Sequence, residues 1–272
     1  MKKGISLLLI LPLLAFSLTT QQSASLLIKK ARDALQTRSY INALTLADQA
    51  FRAATEEEFK AEALYWHGWI AEKAAEDLEK TWSTKKVKLI TPGVITNEDL
   101  MNFEGLKPYR DIGIDFKIGH YVLYYYDGDS YQRIVRDLPK TSWACAASFR
   151  LFLIAQIRAG GEWEGDVSEA LKDLEIVERY YGECNNPEVR RHILHRLAFD
   201  HYYCVQCYWD STGWTFDIEK GRFHYDKAQE LYRIIFREFP NTEVAERAKW
   251  EIHALESLKK RIKISGKSRS QT

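Results

Sequence analysis

His201, Cys204 and Cys207 stand at i, i+3 and i+6 in HYYCVQC, so an imidazole and two thiols recur at about one helical turn. With Cys184 or His195 as a fourth donor, this is the kind of nitrogen and sulfur set that zinc accepts. The competing chemistry is oxidative. Cys145, Cys184, Cys204 and Cys207 are the only cysteines; in an exported chain they are disulfide candidates, and four allow three full connectivities. A direct Cys204–Cys207 bond within one helix would be strained, so separate partners or buried unpaired thiols are the simpler outcomes. A thioredoxin-like role fits poorly. Its Cys-x-x-Cys opens a helix whose N-terminus lowers the thiol pKa, whereas Tyr202 and Tyr203 precede this one inside a helix. The expectation is disulfide chemistry, with no metal and no cofactor.

Aromatic residues form the second constellation. Tyr121, Tyr124, Tyr125 and Tyr126 are followed by Tyr131, and Trp209, Trp214 and Phe216 lie further on. Large amphipathic rings either fill the space between helices or anchor a peptide or a sugar. Tyr121, Tyr124, Tyr125, Trp209 and Trp214 are the partner-binding candidates. Asp127 and Asp129 flank Gly128, but no calcium-loop spacing follows, and helix capping is the expected role. No Gly-x-Ser-x-Gly, P-loop or His-Glu-x-x-His occurs. The remaining histidines are scattered, and none pairs with a nucleophile in sequence. These residues point away from an enzyme.

The elements that must position them are helical. Leu27, Ala31 and Ala34 share one face of a first helix, and Tyr40, Ala43, Ala47, Ala50 and Phe51 line a second, with Ser39 as its expected N-cap. A third starts at an acidic run, Glu56 to Glu58, and ends near Lys80. Residues 81–118, with Pro92, Pro108 and short β-branched runs, read as an insertion with turns and a short hairpin at Pro92-Gly93. At Asp127-Gly128-Asp129-Ser130 a helix either begins at Asp129 or kinks. Helices are then predicted from Ser142 to about Ala159, from Val167, and from Pro187. A second insertion at 209–222 precedes a last pair joined at Pro240-Asn241.

One phrase occurs twice. YQRIVRDLPKTSWACAASFRL at 131–151 aligns with YRIIFREFPNTEVAERAKWEI at 232–252, pairing Pro139 with Pro240, Thr141 with Thr242, Ala144 with Ala245 and Ala147 with Ala248. The offset, 240 − 139 = 101 residues, is near three tetratricopeptide periods of about 34 residues. Phe239-Pro240-Asn241-Thr242 through Ala245 and Ala248, of the form aromatic-Pro-x-Ser/Thr-x-x-Ala-x-x-Ala and recurring with Leu138 in the aromatic place, resembles the tetratricopeptide repeats of bacterial envelope proteins, similar to the lipoprotein of the β-barrel assembly machine and the periplasmic coordinator of the Tol-Pal system. That resemblance implies an all-α, tetratricopeptide-like α-solenoid and a protein partner in the envelope. Arrays of this kind stack helix pairs that cannot bury their apolar stripes alone.

The first residues complete the picture. Lys2 and Lys3, an apolar run from Ile5 to Phe16, and small residues at Ala15, Ser17 and Thr19 form a signal peptide over 1–19. No lipobox cysteine lies nearby. Cleavage takes the formal charge from +1 to −1, because two lysines leave; that balance offers no footprint for nucleic acid. The expected organisation is helical repeats at 20–80, the insertion at 81–118, repeats again at 119–263, and a flexible tail at 264–272. The expected function is a non-enzymatic periplasmic scaffold that binds protein, soluble or peripheral to the outer membrane. The alternative is a cell-wall glycan-binding module using exposed Tyr and Trp.

Overall fold

The computed structural model describes residues 22–86, 100–118, 124–159, 167–210 and 215–269. The expected signal peptide and the expected Pro92-Gly93 hairpin lie outside them. The chain is all-α in character, and it divides into two compact units, residues 1–161 and 162–272.

In the first unit, helix α1 (22–36) turns into α2 (Tyr40–Ala53) and then α3 (Glu57–Lys86). Ile28, Ala50, Ala63 and Trp66 form their common core, with Leu27, Leu35, Phe51 and Phe59 against it. The α1–α2 turn is closed by backbone groups. Ser39 N–H donates to Ala34 O and Arg38 N–H to Leu35 O, with Arg38 at φ +58°. Ser39 occupies the cap position but its hydroxyl makes no capping bond, so the expected side-chain cap is replaced by this C-terminal backbone motif.

Helix α3 runs to Lys86, past the expected end at Lys80. Ala71, Ala74, Ala75, Leu78 and Trp82 extend its buried stripe, and no Pro or Gly follows Leu78 before residue 92. A 3-10 turn (Glu104–Leu106) and the short α4 (Lys107–Arg110) follow. Strands β1 (Phe116–Lys117) and β2 (Tyr125–Tyr126) pair antiparallel, Phe116 opposite Tyr126. Gly128, at φ +93°, begins α5 (Asp129–Asp137), so the acidic tetrad starts a helix rather than kinking one. Helix α6 (Ser142–Ala159) completes the unit. Helix α3 packs against α2, β2, α5 and α6, and is the unit's platform.

The second unit holds α7 (Val167–Glu183), α8 (Pro187–Trp209), α9 (Ile218–Glu238) and α10 (Glu243–Arg269). Asn186 caps α8 through its side chain, and Pro187 sits where the missing N–H costs nothing. Asp217 caps α9 by accepting from Lys220 N–H at 3.0 Å, so the second insertion ends at residue 217 rather than 222. Helix α10 continues through the expected tail to Arg269. Helix α8 packs against α7, α9 and α10, the counterpart of α3.

The repeated phrase forms the same turn twice. Leu138 has φ −132°, ψ 44° and Phe239 φ −128°, ψ 46°. Thr141 Oγ1 donates to Leu138 O at 2.8 Å, and Thr242 Oγ1 to Phe239 O at 2.7 Å. Tyr131, Ile134 and Ala147 are fully buried, as are Tyr232, Ile235 and Ala248.

Candidate functional site

Both units bury a polar knot around the tyrosine of the repeated phrase. In the first unit, Tyr131 of α5 donates its hydroxyl to Glu72 Oε1 of α3 at 2.6 Å. Arg150 of α6 donates Nε to the same oxygen at 3.1 Å and Nη2 to Glu72 Oε2. The guanidinium also lies 4.7 Å from the Trp69 ring. Burial, reinforced by Glu72, holds the Tyr131 hydroxyl far above its ordinary ionisation range, so it stays a neutral donor.

In the second unit, Tyr232 of α9 is likewise fully buried, and burial with the neighbouring Glu251 carboxylate keeps its hydroxyl un-ionised. Glu251 of α10 lies 2.9 Å from His195 Nε2 of α8. Residues 232 and 251 are the counterparts of 131 and 150 at the same offset of 101. The polarity is reversed. The first unit puts the acid on the platform helix and the base on the arm; the second puts the base on the platform and the acid on the arm.

Beyond this knot, α8 carries two further buried groups. Arg196 Nε donates to Asp200 Oδ1 at 2.7 Å, and Asp200 is fully buried, with Oδ2 lacking a hydrogen-bond partner among the described residues. Burial pushes its carboxyl up to about 7 against the pull of Arg196. Next along the helix, His201 Nδ1 lies 2.8 Å from His224 Nδ1 of α9. Burial lowers His201 to about 3, with His224 and Lys227 adding to the effect, and lowers His224 to about 4. The rings are therefore neutral, and one Nδ1–H donates to the other nitrogen. His224 also stacks on Tyr208.

The His/Cys helix does not assemble the zinc set that its spacing suggests. Two nitrogens on a tetrahedral zinc at about 2.0–2.1 Å would stand roughly 3.3 Å apart, wider than the 2.8 Å seen. Among the described residues no group of three or more His, Cys, Asp or Glu side chains is placed to hold a metal ion. Cys204 and Cys207 are buried thiols outside any disulfide. Burial, with Cys207 and Asp200 nearby, raises Cys204 to about 12, which keeps it protonated and unreactive. Cys145 and Cys184 are disulfide-bonded.

A histidine–serine contact joins β2, α5 and α3. Ser130 Oγ lies 2.9 Å from His67 Nδ1 and accepts from the Tyr126 hydroxyl at 2.9 Å. Burial lowers His67 to about 4, so the imidazole is neutral and accepts the serine proton. The pairing has the composition of an activated serine. Ser130 is buried, however, and its own N–H donates to Tyr126 Oη at 2.7 Å, so the contact is a joint in the core.

The aromatic candidates separate. Tyr124 is buried and donates its hydroxyl to Leu100 O at 2.7 Å. Trp209 is buried, stacks on Tyr225 and donates Nε1 to Ile218 O at 3.2 Å. Both are core residues rather than surface anchors, because each ring is enclosed by its own helical layer and satisfies its polar atom internally. Tyr125 is half-buried, with the Arg158 guanidinium 5.9 Å from its ring. Tyr121 and Trp214 lie outside the described residues. Phe216, Ile218 and Phe223 are exposed around the start of α9.

Residue type hid the knots: Arg150 and Glu72 stand on the buried stripes of their helices, in register with Ala147 and Ile154 and with Tyr65 and Ala75, but arginine and glutamate are ordinarily solvated. The available signal was the alignment itself, which places an ionisable residue at 150 and 251 between apolar neighbours in both copies. No family model, no curated protein and no solved structure matches this chain.

Proposed function

We propose that this chain is an exported, non-enzymatic scaffold of tetratricopeptide-like helix pairs that binds a protein partner in the bacterial cell envelope. The observation that carries the reading is the twice-formed helix–turn–helix, with matching turn angles and matching buried residues, each copy packed on its own platform helix. Repetition of a packing unit is how solenoids build a binding surface. One fact supports the cellular setting: Cys145 and Cys184 are disulfide-bonded, a state that persists outside the cytoplasm. Among the described residues no helix is long and apolar enough to cross a membrane.

The partner-binding candidates that remain in this reading are Tyr125, Tyr121 and Trp214. The test is site-specific photo-crosslinking in cells, with the crosslinker placed in turn at these three positions and at the exposed Lys140 as control. The reading expects a protein adduct from at least one of the three positions, absent at Lys140, and recovered with the envelope fraction. Absence of any protein adduct at all three would overturn it.

A further inference from the structure

We infer that the reversed polarity of the two tyrosine knots is a pairing code, matching each helical hairpin to its own platform helix. The hairpins α5–α6 and α9–α10 meet their platforms through a shared set of buried positions, although Trp143 on Tyr65 and Ser130 on His67 in the first are replaced by Val244 and Leu231 in the second. They share the turn, the buried Tyr131/Tyr232, Ile134/Ile235, Ala147/Ala248 and the deep Ile154/Leu255 pair. The shared positions alone would let either hairpin settle on either platform, within one chain or between two copies during folding, so discrimination comes from the positions that differ.

Among the positions of the phrase that differ, 150/251 is the one at which charge reverses. On α3, Glu72 receives Arg150; were α9–α10 seated there, Glu251 would meet Glu72, two carboxylates in a buried site. On α8, His195 receives Glu251; were α5–α6 seated there, Arg150 would meet an imidazole and leave its charge without that acid. His195 Nε2 and Glu251 Oε2 lie 2.9 Å apart, and among the described residues neither of these buried atoms nor the Tyr232 hydroxyl makes a well-aligned hydrogen bond to any group, so their mutual attraction is what compensates the burial and a mismatch would remove it. The first pair is almost as enclosed, with side chains 12% and 11% exposed. Like charges at such depth are strongly disfavoured, and removing one member of a buried pair leaves the other uncompensated. Opposed charges that select a register are the best-attested use of buried polar groups. This inference concerns assembly of the chain and does not depend on which partner it binds.

The test compares Arg150→Glu with Glu72→His/Arg150→Glu, the second importing the polarity of the other unit. Thermal unfolding is followed by circular dichroism, and refolding from urea by size-exclusion chromatography at rising protein concentration. Arg150→Glu alone is expected to lower Tm by about 10 °C, and adding Glu72→His to recover at least half of that loss. With both units then carrying one polarity, the double variant is expected to refold with a concentration-dependent fraction of exchanged oligomer several times that of the wild-type chain. His195→Glu/Glu251→Arg, which imports the first unit's polarity into the second, is expected to behave the same way. A double variant no more stable than Arg150→Glu, or failing to fold, would show that position 150 is not read against position 72. Double variants that refold as cleanly as the wild-type chain would show that polarity does not govern pairing.

Discussion

Replacing Gly221 by alanine sets two physical expectations against each other. Gly221 lies in the first turn of α9, where a helix-propensity argument gives alanine an advantage of about 1 kcal/mol. Packing argues the reverse. A Cβ at this position would stand 2.1 Å from Trp209 Nε1 and 2.2 Å from Cδ1. The indole cannot step aside cheaply, because it is buried, stacked at 5.5 Å on Tyr225, and bonded through Nε1 to Ile218 O. Overpacking costs about 1–3 kcal/mol, and stranding the buried indole N–H a further 1–3 kcal/mol, roughly. Set against the propensity gain, the net loss centres on about 3 kcal/mol. Gly182, near the end of α7, serves as the control, because a methyl group added there would meet nothing within 4 Å among the described residues; Gly182→Ala is expected to be neutral or to gain up to about 1 kcal/mol. Urea unfolding followed by tryptophan fluorescence measures both. The coupling is tested by Trp209→Phe, which is expected to cost less in the Gly221→Ala background than in the native one. A Gly221→Ala protein as stable as Gly182→Ala would refute the close indole–backbone approach.

Three other perturbations have definite expected outcomes. Stability should fall on acidification from pH 6.5 towards 4. His67, His201 and His224 are held neutral below their unfolded value of 6.5, at about 4, 3 and 4, so the unfolded chain binds more protons in that window, and each contributes up to about 1.4 kcal/mol per pH unit. Asp200, raised from 3.8 to about 7, works the other way, costing stability as pH rises between those values; urea midpoints between pH 4 and 8 check the sum, and a midpoint that rises on acidification would refute it. Arg38→Gly should stabilise by about 0.5–1 kcal/mol, since the left-handed φ of +58° is strained for arginine and free for glycine, while its 3.5 Å contact with Asp77 is exposed and weak; thermal unfolding decides the sign. A thiol assay under denaturing, non-reducing conditions should count two reactive cysteines, Cys204 and Cys207, and none before denaturation.

The repeated phrase made the turns and the arms legible because proline, threonine and small residues carry backbone information. Pro139 and Pro240 follow the last helical carbonyls, the threonines close the turn, and alanines mark close approach. The boundaries were less legible wherever they depend on a tertiary neighbour. Trp82 keeps α3 helical beyond Lys80 because it has a core to enter, and α9 begins inside the expected second insertion because Asp217 caps it and Gly221 leaves room for Trp209 against its first turn. The aromatic candidates were ambiguous for the same reason. Tyr124 and Trp209 have the composition of surface anchors, but Leu100 O and Ile218 O are on hand to take their donors.

Repetition also hides what distinguishes its copies. Phe149 and Trp250 occupy the same position in the phrase, yet one is fully buried and the other 79% exposed. Their neighbours explain the difference. Around Trp250 the chain places Glu246, Arg247 and Lys249, which pair along the helix surface as Lys249–Glu246 and Arg247–Glu243, whereas Ala146 and Phe149 form an apolar face on α6 that is fully covered. The face of α10 is therefore finished with charge of both signs, as an outward-facing helix requires to stay soluble. Position 150/251 follows the same logic in the interior. There the substitution that separates the copies changes the sign of a buried charge rather than its presence, so hydropathy registers no difference at the one site where the two hairpins are chemically opposed.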